Sequence, residues 1–439
     1  MKKSRNLKSK RLSLESLENR ELLSVNLFLP NVNEHEYDIA SNCYLPDSEY
    51  DLAAAEIQAE TTAAVAAAPF DFTETFNLHS KPDSHFTIYL DFNGHVTNNT
   101  EWNTKYNTGN NIVSSAFSID SDYENFSNDE QERIQYIWQR VAEDFIPFDV
   151  DVTTEEPDIE RLQKTTDGSD TDWGIRVVIG GNSSDWYTGN AGGVAYLGSF
   201  NWSTDTPCYI FSDNLQNGEK NIAEAVSHEV GHTLGLSHDG TNAQGDNSYY
   251  SGANGWAPIM GTAYDQNVTQ WSKGEYSDAN EYEDDLAIIT GTITNSYTAS
   301  YGGNGFSYRN DDYGNTTIDA TLLTPADNDI FATGIIEQNT DVDYFKFELL
   351  SAMTVDLNIV SGTRDANLDV LANLYNSVNA LLYTSNPLDT LNASFSALVL
   401  SAGIYYLSVE GTGKENVYTD YGSIGTYTIT GSTAVVVIP

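Results

Sequence analysis

The sequence predicts an α+β region followed by an all-β sandwich, and three observations carry that reading. Between residues 85 and 179, runs of strand length flank one stretch with helical apolar spacing. A second helical stretch, over residues 222–234, is closed by a glycine. From residue 313 onward the chain breaks into short β-rich runs punctuated by Gly, Asn and Asp, the texture of an antiparallel sandwich.

A chain of 439 residues has room for two or three domains and a substantial core. Hydrophobic content of 40%, aromatic content of 12% and 27 tyrosines argue for a folded, β-rich protein. The formal charge of −44 is unevenly spread. Residues 1–21 hold seven basic and three acidic residues, leaving 13 basic against 61 acidic in the remainder. Such a body repels nucleic acid and anionic membrane, so no nucleic-acid partner is expected. Its acidity fits solubility in salty water, scattered calcium sites, or both. The two cysteines, Cys43 and Cys208, are too few to indicate a redox compartment. No run of 18 or more apolar residues occurs, so no transmembrane segment is expected.

Taken in order, residues 1–25 are expected to be a basic targeting segment. It lacks the unbroken apolar stretch of an ordinary secretory signal. The run Leu-Glu-Asn-Arg-Glu-Leu-Leu-Ser at 17–24 resembles the Leu-Glu-Pro-Arg-x-Leu-Leu-Ser motif at the start of many large exported bacterial proteins, with Asn19 in place of the proline. The resemblance implies export to the cell surface or medium; a basic amphipathic helix without targeting consequence is the plainer reading. Residues 26–75 are acidic and then alanine-rich, the composition of a pro-segment and tether.

Residues 76–290 form the expected α+β domain. Residues 85–92 read as a strand, and Asn128 is placed to cap a helix reaching about Phe145, with Ile134, Ile137, Trp138, Val141 and Phe145 as its buried stripe. Pro147 stops that helix; residues 148–153 and 173–179 read as strands. The glycine-flanked run at 192–198 and the run at 207–212 follow as strands, and 284–289 as a short closing helix. Residues 291–312, rich in Gly, Asn, Ser and Tyr, read as a linker, and 313–439 as the sandwich.

The chemistry concentrates at residues 228–238, His-Glu-Val-Gly-His-Thr-Leu-Gly-Leu-Ser-His. On a helix, His228 and His232 fall four apart on one face and can grip one zinc ion, while Glu229 can reach a water on that metal. Gly235 can take the left-handed conformation that ends the helix, and the turn returns His238 as a third ligand. Three neutral imidazoles leave one tetrahedral position open, as a catalytic zinc requires. The competing reading is an amphipathic core helix with incidental histidines, although the chain has only seven histidines.

This pattern resembles the metzincin zinc endopeptidases. They carry a methionine turn beneath the metal, which Ala-Pro-Ile-Met-Gly-Thr-Ala-Tyr at 257–264 resembles, with Met260 as the structural methionine. Gly-Leu-Ser-His and the Met-x-x-x-Tyr spacing to Tyr264 look like matrixins, whereas Asp239 after the third histidine looks like reprolysins. The position two residues after the methionine is Thr262, not the tyrosine of astacins and serralysins, so Tyr264 is not carried over as a ligand. The resemblance implies a mixed sheet beneath an active-site cleft and peptide hydrolysis with Glu229 as general base on a zinc-activated water. It also implies that the strand with Val194, Ala195 and Tyr196 lies antiparallel to a bound peptide, although an ordinary sheet edge reads the same way. Asp239 is read either as an anchor for the turn after His238 or as a solvent-facing loop aspartate.

Cys43-Tyr-Leu-Pro-Asp partly resembles the matrixin pro-segment motif in which a cysteine silences the zinc. A latency ligand, a disulfide to Cys208 and an idle thiol all remain open for Cys43. Residues 313–437 resemble the bacterial pre-peptidase C-terminal domain through Asp-Val-Asp-Tyr-Phe, Asn-Leu-Asp, Gly-Ile-Tyr-Tyr and Tyr-Gly-Ser-Ile-Gly-Thr-Tyr. That domain is associated with export, attachment to a surface or polymer, or substrate binding. Asp341, Asp343 and Asp369 are candidates for calcium, with loop-solvating carboxylates as the alternative. Against the endopeptidase stand two other functions: an adhesion protein with a vestigial or structural zinc, and a hydrolase of a non-peptide bond.

Overall fold

The computed structural model describes residues 68–165, 168–243, 249–291, 306–324 and 328–435. The expected targeting segment, Cys43 with most of the pro-segment and tether, and residues 292–305 of the expected linker lie outside the described residues.

The first half runs β1 (Phe86–Asp91), β2 (His95–Thr97), α1 (Glu101–Tyr106), β3 (Ile112–Ser114), α2 (Asn128–Phe145), β4 (Asp151–Thr153) and β5 (Trp173–Ile179). It continues with β6 (Gly193–Val194), β7 (Cys208–Ile210), α3 (Glu219–Leu234), β8 (Trp256–Pro258), β9 (Val268–Gln270) and α4 (Asp285–Ile289). Helix α2 begins one residue earlier than expected. Ser127 rather than Asn128 is its cap, its hydroxyl accepting from the Glu130 N–H while Glu130 accepts from the Ser127 N–H. The expected apolar stripe of α2 is buried throughout. Helix α3 ends where Gly235 adopts φ 103° and donates back to Gly231 and His232.

Five strands form a mixed sheet in the order β4-β1-β5-β7-β6. Four of them pair parallel, and β6 closes one edge antiparallel to β7. Strands β1, β4, β5 and β7 are buried at every residue, as parallel strands covered on both faces must be. The expected edge run at 192–198 contributes only the two residues of β6. Gly198 turns the chain at φ 70°, and its N–H is held by the His232 carbonyl at 2.9 Å.

The second half adds β10 (Thr321–Leu322), β11 (Asp329–Ile336), β12 (Val342–Leu349), β13 (Met353–Ser361), β14 (Val370–Asn376), β15 (Leu381–Ser385), β16 (Ala393–Leu400), β17 (Gly403–Gly411) and β18 (Gly425–Val435). They make two sheets, β10-β12-β17-β14-β15 and β11-β18-β13-β16. Alternating burial along β12 and β13 turns one face of each toward the space between them.

One apolar cluster joins both halves, running from Leu78 and Ile88 through Trp271, Leu286 and Ile289 to Val355, Leu407 and Ile429. Within the expected linker, residues 306–309 dock on the first half. Phe306 packs on Phe86 and Phe200 at 5.2 and 4.9 Å, the Asp149 N–H donates to the Ser307 carbonyl, and the Arg309 N–H donates to the Pro147 carbonyl. The apolar face of Phe306 explains the departure, because a linker read from its Gly/Asn/Ser content hides a buried aromatic. Among the described residues, no helix is long and apolar enough to cross a membrane.

Candidate metal centre

Helix α3 brings His228 and His232 onto one face, and the turn at Gly235 returns His238 beside them. One nitrogen from each of the three rings lies within 4.8 Å of the others, so together they can hold a metal ion. The Nδ1 atoms of His228 and His232 face backbone carbonyls, Ile259 at 2.9 Å and Leu236 at 2.7 Å. A carbonyl only accepts, so each Nδ1 carries the proton and each Nε2 presents its lone pair. The Nε2 atoms of His232 and His238 stand 2.9 Å apart. That of His228 is buried and has no hydrogen-bond partner among the described residues. Burial pushes the pKa of His228 down to about 4 and, helped by the neighbouring ring, that of His238 down to about 3. Burial and both neighbours hold His232 well below the usual histidine range. All three rings are neutral at ordinary pH, the form in which imidazole binds metal.

Glu229 is 1% exposed, and its Oε2 has no hydrogen-bond partner among the described residues. Burial holds its carboxyl well above the ordinary range. It rests against β6: a Cβ at Gly193 would lie 2.6 Å from Glu229 Cγ and 2.7 Å from Oε1. Only glycine permits this approach of strand and carboxylate.

Met260 is fully buried beneath the helix, its sulfur so close to Gly231 that a Cβ there would meet it at 2.5 Å. The Met260 carbonyl accepts the N–H of Asp239 at 2.8 Å, tying the methionine turn to the residue after His238. Asp239 faces inward at 3% exposure and accepts from Tyr276 at 3.3 Å; burial raises its pKa to about 8. It is therefore not solvent-facing, and its backbone and side chain both bond within the fold.

Tyr264 is 7% exposed, with its hydroxyl next to Gly192, the residue before β6. Val194, Ala195 and Tyr196 are fully buried, and Tyr196 packs on Trp102 at 4.1 Å, so this edge offers backbone rather than side chains. Cys208 is a free, buried thiol in β7. Two neighbours of the histidines had no signal in the sequence. Glu283 accepts from the Ser237 N–H at 2.8 Å, and the Tyr249 ring stands 4.2 Å from that of His238.

A second gathering of ligand atoms comprises Asp311, Asp341 and Asp343 in the sandwich. The expected set named Asp369 with Asp341 and Asp343. Asp369 instead accepts from Tyr418 at 2.7 Å, and Asp311 takes the third place. The folding of the 311–315 turn onto β12 decides this, with Asn315 accepting from the Val342 N–H at 2.7 Å.

Residues 159–272 match the family model Reprolysin_5, described as Metallo-peptidase family M12. The match spans the edge strand, all three histidines and Met260, and supports a metallopeptidase. No curated protein matches the chain. Among solved structures, the chain is similar to the pre-peptidase C-terminal domain of collagenase from Bacillus anthracis. The identity there is 13%, over 28% of this chain and 100% of that one, with a TM-score of 0.21. It is also similar to PliG of Aeromonas hydrophila, a periplasmic inhibitor of g-type lysozyme, at 10% identity over 26% of this chain and 95% of that one, with a TM-score of 0.20.

Proposed function

We propose that the chain is an exported, zinc-dependent endopeptidase of the metzincin type, with Glu229 as its general base. The observation that carries this reading is the convergence of three neutral imidazoles with a buried carboxylate, one oxygen of which has no partner among the described residues, at an open sheet edge. His228, His232 and His238 would hold the zinc; when bound, the metal supplies a Lewis acid and lowers the pKa of a bound water from about 15.7 toward 7. The orphaned Nε2 of His228 and the two locked Nδ1–H groups suit that role.

Glu229 accepts a proton from the attacking water and returns it to the leaving amine. Its burial against β6 holds the carboxylate in place for that transfer. Strand β6 pairs its free edge with an extended peptide and so aligns the scissile bond. Met260 floors the histidines, and Asp239 anchors the turn that carries His238. Export rests on the motif at residues 17–24, and attachment to a surface or polymer is assigned to the sandwich.

Purified protein tested on a quenched-fluorescent peptide library, before and after stripping by a chelator, decides the matter. Hydrolysis should vanish on stripping and return with one zinc per chain. A zinc-loaded protein that cleaves nothing would favour the adhesion reading.

Gly193→Ala is expected to lower kcat by at least about tenfold with bound zinc unchanged, because its methyl displaces Glu229. A variant with wild-type kcat would remove β6 from the site.

The sandwich carboxylates are assigned to calcium. Asp341 and Asp343 each have a buried oxygen without a partner among the described residues. Burial, with neighbouring carboxylates, pushes Asp343 up to about 8 and Glu337 up to about 9. Without a cation these groups hold protons in the folded state; the stability they contribute is full below the ordinary carboxylate range and lost as pH rises through 8 and 9. Calcium requires the ionised form, so its affinity rises over the same range. Millimolar calcium should therefore raise the melting temperature more at pH 9 than at pH 6. An equal or absent increment at both would rule the site out.

A further inference from the structure

We infer that Asn367, on the loop between β13 and β14, is a positioning residue for the metal centre, and that the sandwich braces the histidine helix from behind. The inference rests on the zinc-peptidase reading and goes beyond it.

Two hydrogen-bonded paths leave Asn367: one ends on Ser227, the residue before His228, and the other on the His228 imidazole. Asn367 is 3% exposed, and its side-chain amide donates to Asp144 Oδ1 at 2.8 Å. The other oxygen of Asp144 accepts from Ser227 at 2.5 Å, and Ser227 is the residue before His228 on α3. On the second path, the Asn367 carbonyl accepts from Gln270 Nε2 at 2.5 Å. The Gln270 carbonyl in turn accepts from the Ile259 N–H at 2.9 Å, and the Ile259 carbonyl accepts from His228 Nδ1, also at 2.9 Å. The first path fixes the helix backbone at His228, and the second fixes the rotation of its ring.

The orientation of Gln270 is settled chemically. Its Oε1 receives the Trp256 indole N–H at 2.8 Å, and an indole only donates, so Nε2 must face Asn367. Both amides are buried, where an unmade hydrogen bond is expensive and a made one is rigid.

The surrounding contacts press the loop into place. Arg140 on α2 pairs with Asp365 at 3.1 Å, and Arg364 pairs with Glu219 at the start of α3 at 2.7 Å. On the neighbouring connection between β17 and β18, Gly422 meets the Trp271 carbonyl, beside Gln270, so closely that a Cβ there would lie 2.5 Å away. Asn367 touches neither the histidine nitrogens nor the open edge of β6, so its action on the reaction passes through His228.

The test uses the full chain and three variants. Asn367→Leu removes the first path, and Gln270→Met removes the second while keeping the backbone bond to Ile259. Thr426→Val removes a hydroxyl bonded to Glu143 at 2.7 Å in the same interface but on neither path. Zinc release to a chelator is followed well below the melting temperature of each variant, with kcat and KM measured alongside.

Asn367→Leu and Gln270→Met should each release zinc about tenfold faster or more, with kcat falling and KM little changed. Thr426→Val should lose thermal stability without faster release. Equal release rates across all three variants and wild type would overturn the brace, as would an equal acceleration in Thr426→Val. If Asn367→Leu does not fold, Gln270→Met gives the same decision on its own. A wild-type chain that binds no zinc would overturn the peptidase reading and the brace together, whereas zinc-loaded wild type with unaltered variants would overturn the brace alone.

Discussion

Replacing Glu229 with glutamine is expected to lower kcat/KM for peptide hydrolysis by about 10²–10⁴-fold while leaving bound zinc unchanged. The substitution nearly preserves volume, so the packing against Gly193 survives and no cavity opens in this fully buried site. What is lost is an atom able to take a proton from water and release it again. Glu229 donates no nitrogen to the metal, so zinc content measured on the same samples separates loss of chemistry from loss of the site. Retention of activity within tenfold of wild type would exclude Glu229 as the base.

Gly231→Ala is expected to destabilise the protein by about 1–3 kcal/mol and to weaken zinc binding. On an exposed helix the same change would stabilise by about 1 kcal/mol, because alanine is the better helix former. Here the new methyl would stand 2.5 Å from the Met260 sulfur and 3.4 Å from Leu236 Cδ1, with Met260 fully enclosed. Gly231 lies between His228 and His232, so displacement of the methionine reaches both rings. A double-mutant cycle gives the decisive reading. In a Met260→Ala background, already weakened by about 2–5 kcal/mol, adding Gly231→Ala should cost at least about 1 kcal/mol less than it does in wild type. Additive effects would show that the sulfur is not what the methyl meets.

The histidine motif is legible in the sequence because its geometry is local. The spacing of His228 and His232, the left-handed turn at Gly235 and the return of His238 are fixed within eleven residues. Met260 was legible for a different reason: a methionine is rare in this chain, and it follows an Ala-Pro-Ile run. Glu283 leaves no such trace, since it meets the site through the tertiary fold, across 46 residues to Ser237.

The strands fared unevenly for similar reasons. Strand β12 alternates cleanly, whereas β16 contains Ala397 at φ 53°, and its pairing with β13 shifts register between Val355 and Leu357. A bulge of that kind breaks the period that a sequence reading depends on. The exchange of Asp369 for Asp311 shows the same limit in the sandwich. Acidic residues are plentiful throughout this chain, and only the folded turn decides which three of them meet.

The sheet order β11-β18-β13-β16 has a consequence for how the protein is made. Strands β11 and β13 do not pair with one another; both pair with β18, whose last residue is Val435. During synthesis from the N-terminus, this sheet cannot close until β18 itself has left the ribosome. Asn367 reaches back 223 residues to Asp144, a loop whose closure is slow and is rewarded only once its far end is held. The helix bearing the histidines is thus translated long before the strand that completes its support. A nascent chain, or one cut short before β18, would carry the full metal motif without the structure that steadies it.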